Sequence, residues 1–142
     1  MGTARRIVLC LPDWMVHADP APDETAKRDV DLAFDWDTST AGVVGFGEGG
    51  WRAVELAERH PGLVDRLVLI STPPLGDDES PSGIEAKTLL LYGSLDGGQR
   101  QAHWWKTATG GRIEMTPGQG HDILGHVWAR ALSHVAPGTI RA

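Results

Sequence analysis

Five short apolar runs that alternate with helical patterns constrain the fold of this 142-residue chain more than any other feature. The runs cover residues 6–11, 41–46, 66–71, 87–92 and 112–115. The middle three are continuously apolar, which is typical of strands covered by helices on both faces. Helical patterns cover residues 23–35, 48–60, 99–107 and 121–135. This order predicts an α/β fold: a three-layer sandwich of about five parallel strands, with helices on both faces and right-handed crossovers.

The length and composition predict one domain of an ordinary soluble protein. Apolar residues make up 41% and charged residues 23% of the chain. No apolar run approaches the ~20 residues that a membrane span requires, so we expect no membrane contact. The one cysteine, Cys10, excludes an internal disulfide and fits a reducing compartment such as the cytoplasm. A formal charge of −6 argues against nucleic acid as a partner. Ten arginines against three lysines are typical of a GC-rich bacterial genome.

The segment over residues 41–72 joins a strand pattern to a helical pattern through the glycine-rich turn G-F-G-E-G-G. In α/β-hydrolases a strand ends in a sharp turn, G-x-S-x-G, and a helix begins at once; this turn is the nucleophile elbow. The segment resembles that unit, with Gly45 and Gly49 as the flanking glycines and Gly50 as the common extra one. The central residue is Gly47. Dienelactone-hydrolase-like members have cysteine there and most others have serine, so the resemblance is to a small, nearly lidless hydrolase without its nucleophile.

Two further segments resemble this family in its order of nucleophile, acid and histidine. The pattern K-T-L-L-L-Y-G-S-L-D resembles the strand that delivers the acid, which implies that role for Asp96. His121 follows the last strand pattern after a glycine, which implies that it is the catalytic histidine. By the same resemblance, the backbone amides of Glu48 and Asp13 are the expected oxyanion-hole donors.

The resemblance also indicates which residues surround the site. Trp14 follows the first strand at the end where the family's pocket opens, and we expect it to form an apolar wall. Phe46, beside the vacant nucleophile position, and Ser94, close to Asp96, are the other expected pocket residues. The family's lid is reduced to the loop over residues 73–86, which is rich in Pro, Gly and acids and reads as exposed.

The expected position of the first strand in the sheet predicts that two copies of the chain associate. This strand leads through a single predicted helix to the elbow strand, so two or three strands of the family sheet are missing. We therefore expect the first strand at the sheet edge, where its unpaired backbone groups invite pairing with another copy. The predicted assembly is a homodimer through this edge.

Gly47 excludes a covalent acyl-enzyme at its position, because that chemistry needs an oxygen or sulfur nucleophile. The other groups permit general-base catalysis, in which Asp96 orients His121 and two backbone amides polarise a carbonyl group. We expect hydrolysis, isomerisation, elimination or cyclisation of a small carbonyl compound, without a cofactor. The alternative is a catalytically silent protein that binds a ligand or serves as a scaffold.

Three other patterns have less support. The elbow glycines also match the dinucleotide-binding motif G-x-G-x-x-G, but the next strand ends without the carboxylate that binds the ribose. Cys10 lies inside a buried strand pattern, where a thiol is usually inert. The six histidines show no spacing that predicts a metal site.

Overall fold

The described part of the chain forms one sheet of six parallel strands. The structure, a computed structural model, describes residues 6–11, 19–76, 84–95 and 97–141. The strands are β1 (Arg6–Leu11), β2 (Val30–Ala33), β3 (Gly42–Phe46), β4 (Arg66–Ile70), β5 (Lys87–Gly93) and β6 (Arg112–Thr116). Their order across the sheet is β2-β1-β3-β4-β5-β6, and each neighbouring pair is parallel.

Helices cover both faces of this sheet. They are α1 (Pro22–Thr25), α2 (Gly49–Arg59), α3 (Gly98–Thr109) and α4 (Leu124–Val135). Along β4, Val68 and Ile70 pack in the core beneath α4, while Leu67 and Leu69 pack in the core beneath α2 and α3. Because both faces of this central strand are buried, its residues after Arg66 are all apolar. The predicted three-layer α/β sandwich is confirmed, with six strands rather than about five. None of the described helices is long and apolar enough to cross a membrane.

The predicted helix over residues 23–35 is wrong beyond its first turn. α1 ends at Thr25, and Val30–Ala33 form β2, which pairs with β1. The apolar residues of this segment have helical spacing, but a helix there would leave one edge of β1 without backbone partners. Pairing with β2 satisfies those backbone groups, and this tertiary gain overrides the local pattern.

The expectation that the first strand lies at the sheet edge is therefore also wrong. β1 is an interior strand between β2 and β3, and two strands rather than one precede the elbow strand. A homodimer through the edge of β1 loses its structural basis, because the backbone groups of β1 are paired within the sheet. The homodimer itself stays a prediction.

The chain reverses its direction across the sheet between β1 and β3. From β1 the chain runs outward to β2, whereas from β3 it runs the opposite way to β4. The helix after β1, α1, contacts α4 on one face, and the helix after β3, α2, packs on the other face. In open parallel sheets such a reversal leaves a crevice at the carboxyl ends of the two strands, where ligands bind. The topology thus favours a site at the end of β3.

The C-terminal segment holds the connection between α1 and β2 in place. The Asp29 N–H donates to the Thr139 carbonyl (2.8 Å), and the Arg141 N–H donates to the Lys27 carbonyl (2.9 Å). The guanidinium of Arg28, which is buried, donates to the Thr139 hydroxyl (3.4 Å). These bonds connect the last described residues to the segment that leads into the edge strand.

Candidate functional site

β3 ends in a sharp turn at Gly47. The φ angle of Gly47 is +58°, in the left-handed region that other residues enter only at a cost. Its N–H donates to the Ile70 carbonyl at the end of β4 (2.8 Å), and its carbonyl accepts from the Gly50 N–H (3.0 Å). α2 begins at Gly49. The chain therefore passes from strand to helix within two residues, as the G-x-S-x-G resemblance implies.

Two neighbouring glycines allow close contact between the elements around this turn. A Cβ on Gly45 would lie 2.4 Å from the Cα of Gly50. A Cβ on Gly50 would lie 2.0 Å from the hydroxyl oxygen of Thr72. Both distances are too short for real atoms, so β3, the first turn of α2 and the segment after β4 pack without room for side chains. Packing alone therefore requires these two glycines, whatever chemistry the turn performs.

The backbone amide of Glu48 lies just before the first residue of α2. No hydrogen bond joins this N–H to another residue in the described part of the chain. Amides at a helix N-terminus carry partial positive charge and attract anionic oxygen atoms. The amide is thus available for the role that the resemblance implies, while the Glu48 side chain is exposed.

His121 lies at the same edge of the sheet as the Gly47 turn. It follows β6 and precedes α4, and its imidazole packs against the ring of Phe46, with 5.0 Å between ring centroids. Phe46 is 5% exposed and directly precedes Gly47 in the chain. His121 is exposed, so small molecules have access to it from solvent. The structure thus brings together the histidine and the elbow turn that the sequence analysis singled out separately.

Three predicted site residues lie outside the described part of the chain. They are Asp96, the expected acid, Asp13, the expected second amide donor, and Trp14, the expected pocket wall. Their roles stay predictions.

The loop after β5 is attached to the loop that carries the histidine. The Ser94 N–H donates to the Thr116 carbonyl (3.0 Å), and the Leu95 N–H donates to the Gln119 carbonyl (2.9 Å). The Ser94 hydroxyl accepts from the Gly118 N–H (2.9 Å). These bonds fix the path of the chain that leads from β6 to the histidine.

Ser94 also borders a cleft beside α3. The cleft has a volume of about 480 Å³ and is lined by Ser94, Gly97, Arg100 and Gln101. Ser94 is exposed, and its side chain thus both supports the histidine loop and borders open space.

The structure adds Ser71, which the sequence analysis did not select. Ser71 follows β4 and has a φ angle of +53°, the one positive φ outside glycine among the described residues. Its hydroxyl donates to the His121 carbonyl (2.7 Å), and the residue is 1% exposed. No sequence signal identifies it, because serine is common where a strand gives way to a loop.

Cys10 is unsuited to act as a displaced nucleophile. It is 2% exposed within β1. Burial, and to a lesser extent the charge of Asp19, raises the pKa of its thiol to about 12. The thiol is therefore protonated at neutral pH, and a thiol is a poor nucleophile. Within the described residues, no three His, Cys, Asp or Glu side chains form a group that could hold a metal ion.

Solved structures of known proteins share this arrangement of strands and helices. A predicted CIB-like hydrolase from Thermoplasma acidophilum matches with a TM-score of 0.71 at 14% identity, over 92% of this chain and 85% of that chain. A dienelactone hydrolase from Anabaena variabilis matches with a TM-score of 0.70 at 16% identity, over 97% and 88%. A carboxylesterase from Bacillus subtilis matches with a TM-score of 0.69 at 14% identity, over 96% and 86%.

The chain therefore has the α/β-hydrolase fold, and the resemblance that the sequence motifs indicated is confirmed at the level of the fold. No protein-family model matches the sequence, and a search of curated proteins finds no significant match.

Proposed function

We propose that this chain is a hydrolase-fold enzyme in which His121 acts as a general base on a small carbonyl compound, without a covalent intermediate. The observation that supports this most strongly is the 5.0 Å contact between the rings of His121 and Phe46. Phe46 directly precedes the Gly47 turn, so this contact supports a base close to the crevice that the topology favours.

The proposed hydrolysis proceeds in two steps. His121 takes a proton from water while the water oxygen bonds to the carbonyl carbon, and the carbonyl π electrons move to the oxygen. The amides of Glu48 and Asp13 stabilise this oxyanion, each donor contributing about 3 kcal/mol by analogy with mutated proteases. The oxyanion then collapses, and the leaving group departs with the proton from His121. Asp96 orients the imidazole and stabilises its protonated form.

Position 47 takes no part in bond formation in this scheme. In this scheme the attacking water or a substrate carbon occupies the place that a serine side chain has in the family. Where the substrate has an acidic C–H next to its carbonyl group, the same base and amides would serve isomerisation, elimination or cyclisation. All these reactions share proton removal by His121 and stabilisation of a negative oxygen.

The test compares wild type with His121→Ala and Gly47→Ser on a panel of small esters and lactones. His126→Ala, which removes an exposed histidine of α4, is the matched control. We expect His121→Ala to lower kcat/KM by about 100-fold or more and His126→Ala to leave it unchanged. Wild type should show no burst of product, and Gly47→Ser should show one, because only a serine can form an acyl-enzyme.

Two outcomes would contradict hydrolysis as the natural reaction. If wild type and His121→Ala are equally inert while Gly47→Ser gains activity, the geometry is intact but the natural reaction is not a hydrolysis. If all three are inert, a binding or scaffold role is favoured.

The second candidate function is the binding of a small ligand without chemistry. A second cleft beside α3, separate from the one that Ser94 borders, favours it. The cleft has a volume of about 560 Å³. It is lined by Pro74, Gly76, Arg100, His103, Trp104 and Thr107. A guanidinium, an imidazole and an indole together suit a carboxylate on a flat apolar body.

Titration with benzoate, with benzamide as the uncharged control, tests this binding role by tryptophan fluorescence. We expect benzoate alone to bind, and Arg100→Gln to abolish its binding. Arg112→Gln, which removes an exposed arginine outside the cleft, should not affect it. Equal responses to benzoate and benzamide would contradict recognition of the carboxylate.

A further inference from the structure

We propose that Ser71 is a positioning residue that fixes His121 beside the Gly47 turn. The inference rests on the proposed function and adds to it a residue outside the elbow motif and outside the acid–histidine pair. Three observations support it: the backbone conformation of Ser71, its hydrogen bond to His121, and the role of the neighbouring Ile70.

The backbone conformation of Ser71 is costly for a residue with a side chain. Its φ angle of +53° lies in the left-handed region, and such strain persists only where the surrounding structure enforces it. Here the Ser71 N–H donates to the Leu91 carbonyl of β5 (2.9 Å), which anchors the residue to the sheet. Strain of this kind clusters at functional sites.

The strained conformation directs the Ser71 side chain to a different face of the sheet from the one that regular strand alternation would give it. Alternation along β4 puts Leu67 and Leu69 on the face of α2 and α3, and continued alternation would put Ser71 on that face too. Its hydroxyl instead contacts the loop that leads into α4, which covers the opposite face. The positive φ thus accompanies a change of face that brings the hydroxyl to His121.

The hydrogen bond from Ser71 fixes the backbone of the histidine itself. The His121 carbonyl accepts from the Ser71 hydroxyl (2.7 Å) and from the Ile123 N–H (3.0 Å). With its carbonyl held twice, the residue presents its imidazole to Phe46, 5.0 Å away between ring centroids. Ser71 is 1% exposed, so water does not compete freely for this bond.

The end of β4 thereby connects both halves of the proposed site. The carbonyl of Ile70 accepts from the Gly47 N–H (2.8 Å), and the hydroxyl of the next residue, Ser71, donates to the His121 carbonyl (2.7 Å). One dipeptide therefore holds the elbow turn on one side and the histidine loop on the other. A shift of about 1 Å at a catalytic group is enough to cost two orders of magnitude in rate, so such a connection has a direct effect on catalysis.

The test uses Ser71→Gly and Ser71→Ala, with Ser133→Ala as a control at an exposed serine of α4. Both Ser71 variants lack the hydroxyl, but glycine adopts a positive φ without strain, so Ser71→Gly is the variant that keeps the fold most securely. The first readout is the NMR cross-peak between the His121 and Phe46 rings, which needs no substrate. We expect both variants to lose this cross-peak and Ser133→Ala to retain it.

The second readout separates a positioning role from a structural one. On any carbonyl substrate that wild type turns over, we expect both variants to lower kcat by about tenfold or more while KM changes little. Loss of the cross-peak in both Ser71 variants, together with a wild type that is inert on all substrates, would support the role of Ser71 and contradict the proposed function. Retention of the cross-peak in both variants, or its loss in Ser71→Ala alone, would overturn the role of the hydroxyl.

Discussion

At the scale of single residues, two left-handed backbone conformations stand at the ends of adjacent strands. Gly47 follows β3 with φ +58°, and Ser71 follows β4 with φ +53°. The first lets the chain turn into α2 at once, and the second accompanies the hydroxyl contact to the histidine loop. The candidate site thus depends on the shape of the backbone as much as on side chains.

Gly50 provides the sharpest test of packing at this scale. We expect Gly50→Ala to lower the free energy of unfolding by about 2 kcal/mol or more, because its Cβ would lie 2.0 Å from the Thr72 hydroxyl oxygen. Gly62→Ala is the matched control, since nothing lies within 4 Å of the added Cβ. It should change stability by less than about 1 kcal/mol. Urea denaturation measures the free energy of unfolding of both variants. Equal values for Gly50→Ala and Gly62→Ala would contradict the packing described for the elbow.

Gly47 itself should tolerate a side chain at a moderate cost. We expect Gly47→Ser to fold and to lose about 1–2 kcal/mol of stability, because an L-residue is strained at φ +58°. Gly118→Ala is a suitable comparison, since Gly118 has φ +71° and nothing lies within 4 Å of an added Cβ. Thermal unfolding should show similar losses for the two variants. A Gly47→Ser variant that does not fold would contradict this expectation.

At the scale of elements, the sequence predicted the strands whose apolar composition identifies them, and it missed β2, which depends on pairing with β1. β3, β4 and β5 are covered on both faces, so their composition alone identifies them. β2 is a four-residue edge strand, and it exists because β1 offers it an unpaired edge. The turn at Gly47 was predictable because the spacing of its glycines indicates a sharp turn. The strained backbone of Ser71 was not predictable, because a serine in a sequence does not indicate a positive φ angle.

β6 and α4 are joined by an ion pair whose pH dependence can be measured. The Arg130 guanidinium donates three hydrogen bonds to the Glu114 carboxylate (2.8, 3.1 and 2.6 Å), and these lower the pKa of Glu114 below its ordinary value of 4.5. Because the folded-state pKa is the lower one, the contribution to stability is complete above pH 4.5 and is lost as the pH falls through the folded-state pKa. Both side chains are partly exposed, so we expect at most about 1 kcal/mol.

Urea denaturation of wild type and Glu114→Gln at several pH values tests this pair. Wild type should be the more stable at pH 7, and the difference should shrink as the pH falls below the ordinary pKa of the carboxyl group. A difference that stays constant down to strongly acidic pH would contradict the pairing.

At the scale of the whole molecule, the reversal of the chain between β1 and β3 organises both the sheet and the site. It puts α1 and α2 on opposite faces and leaves the crevice at the carboxyl ends of the central strands. It also makes β2 an edge strand, which the C-terminal segment holds through the bonds of Thr139 and Arg141.

This tether predicts a local effect of truncation. Removal of residues 139–142 eliminates the backbone bonds to Lys27 and Asp29, so amide hydrogen exchange in Val30–Ala33 should accelerate. Exchange in Arg66–Ile70, at the centre of the sheet, should stay unchanged. Arg141→Ala, which keeps the backbone bonds, is the control. Unchanged exchange in β2 after truncation would contradict a stabilising role for the C-terminal segment.

The central claim is that the imidazole of His121 faces position 47, and the reactivity of a thiol introduced there by Gly47→Cys tests it without any knowledge of the substrate. The native thiol of Cys10 does not interfere, because its pKa is about 12 and it is buried. The rate of alkylation by iodoacetamide is measured against pH in Gly47→Cys alone and combined with His121→Ala or, as a control, His126→Ala. We predict that the introduced thiol has a pKa at least about one unit higher in the His121→Ala combination than in the other two, because a nearby imidazolium favours the thiolate. Identical pH profiles in all three proteins would contradict the claim.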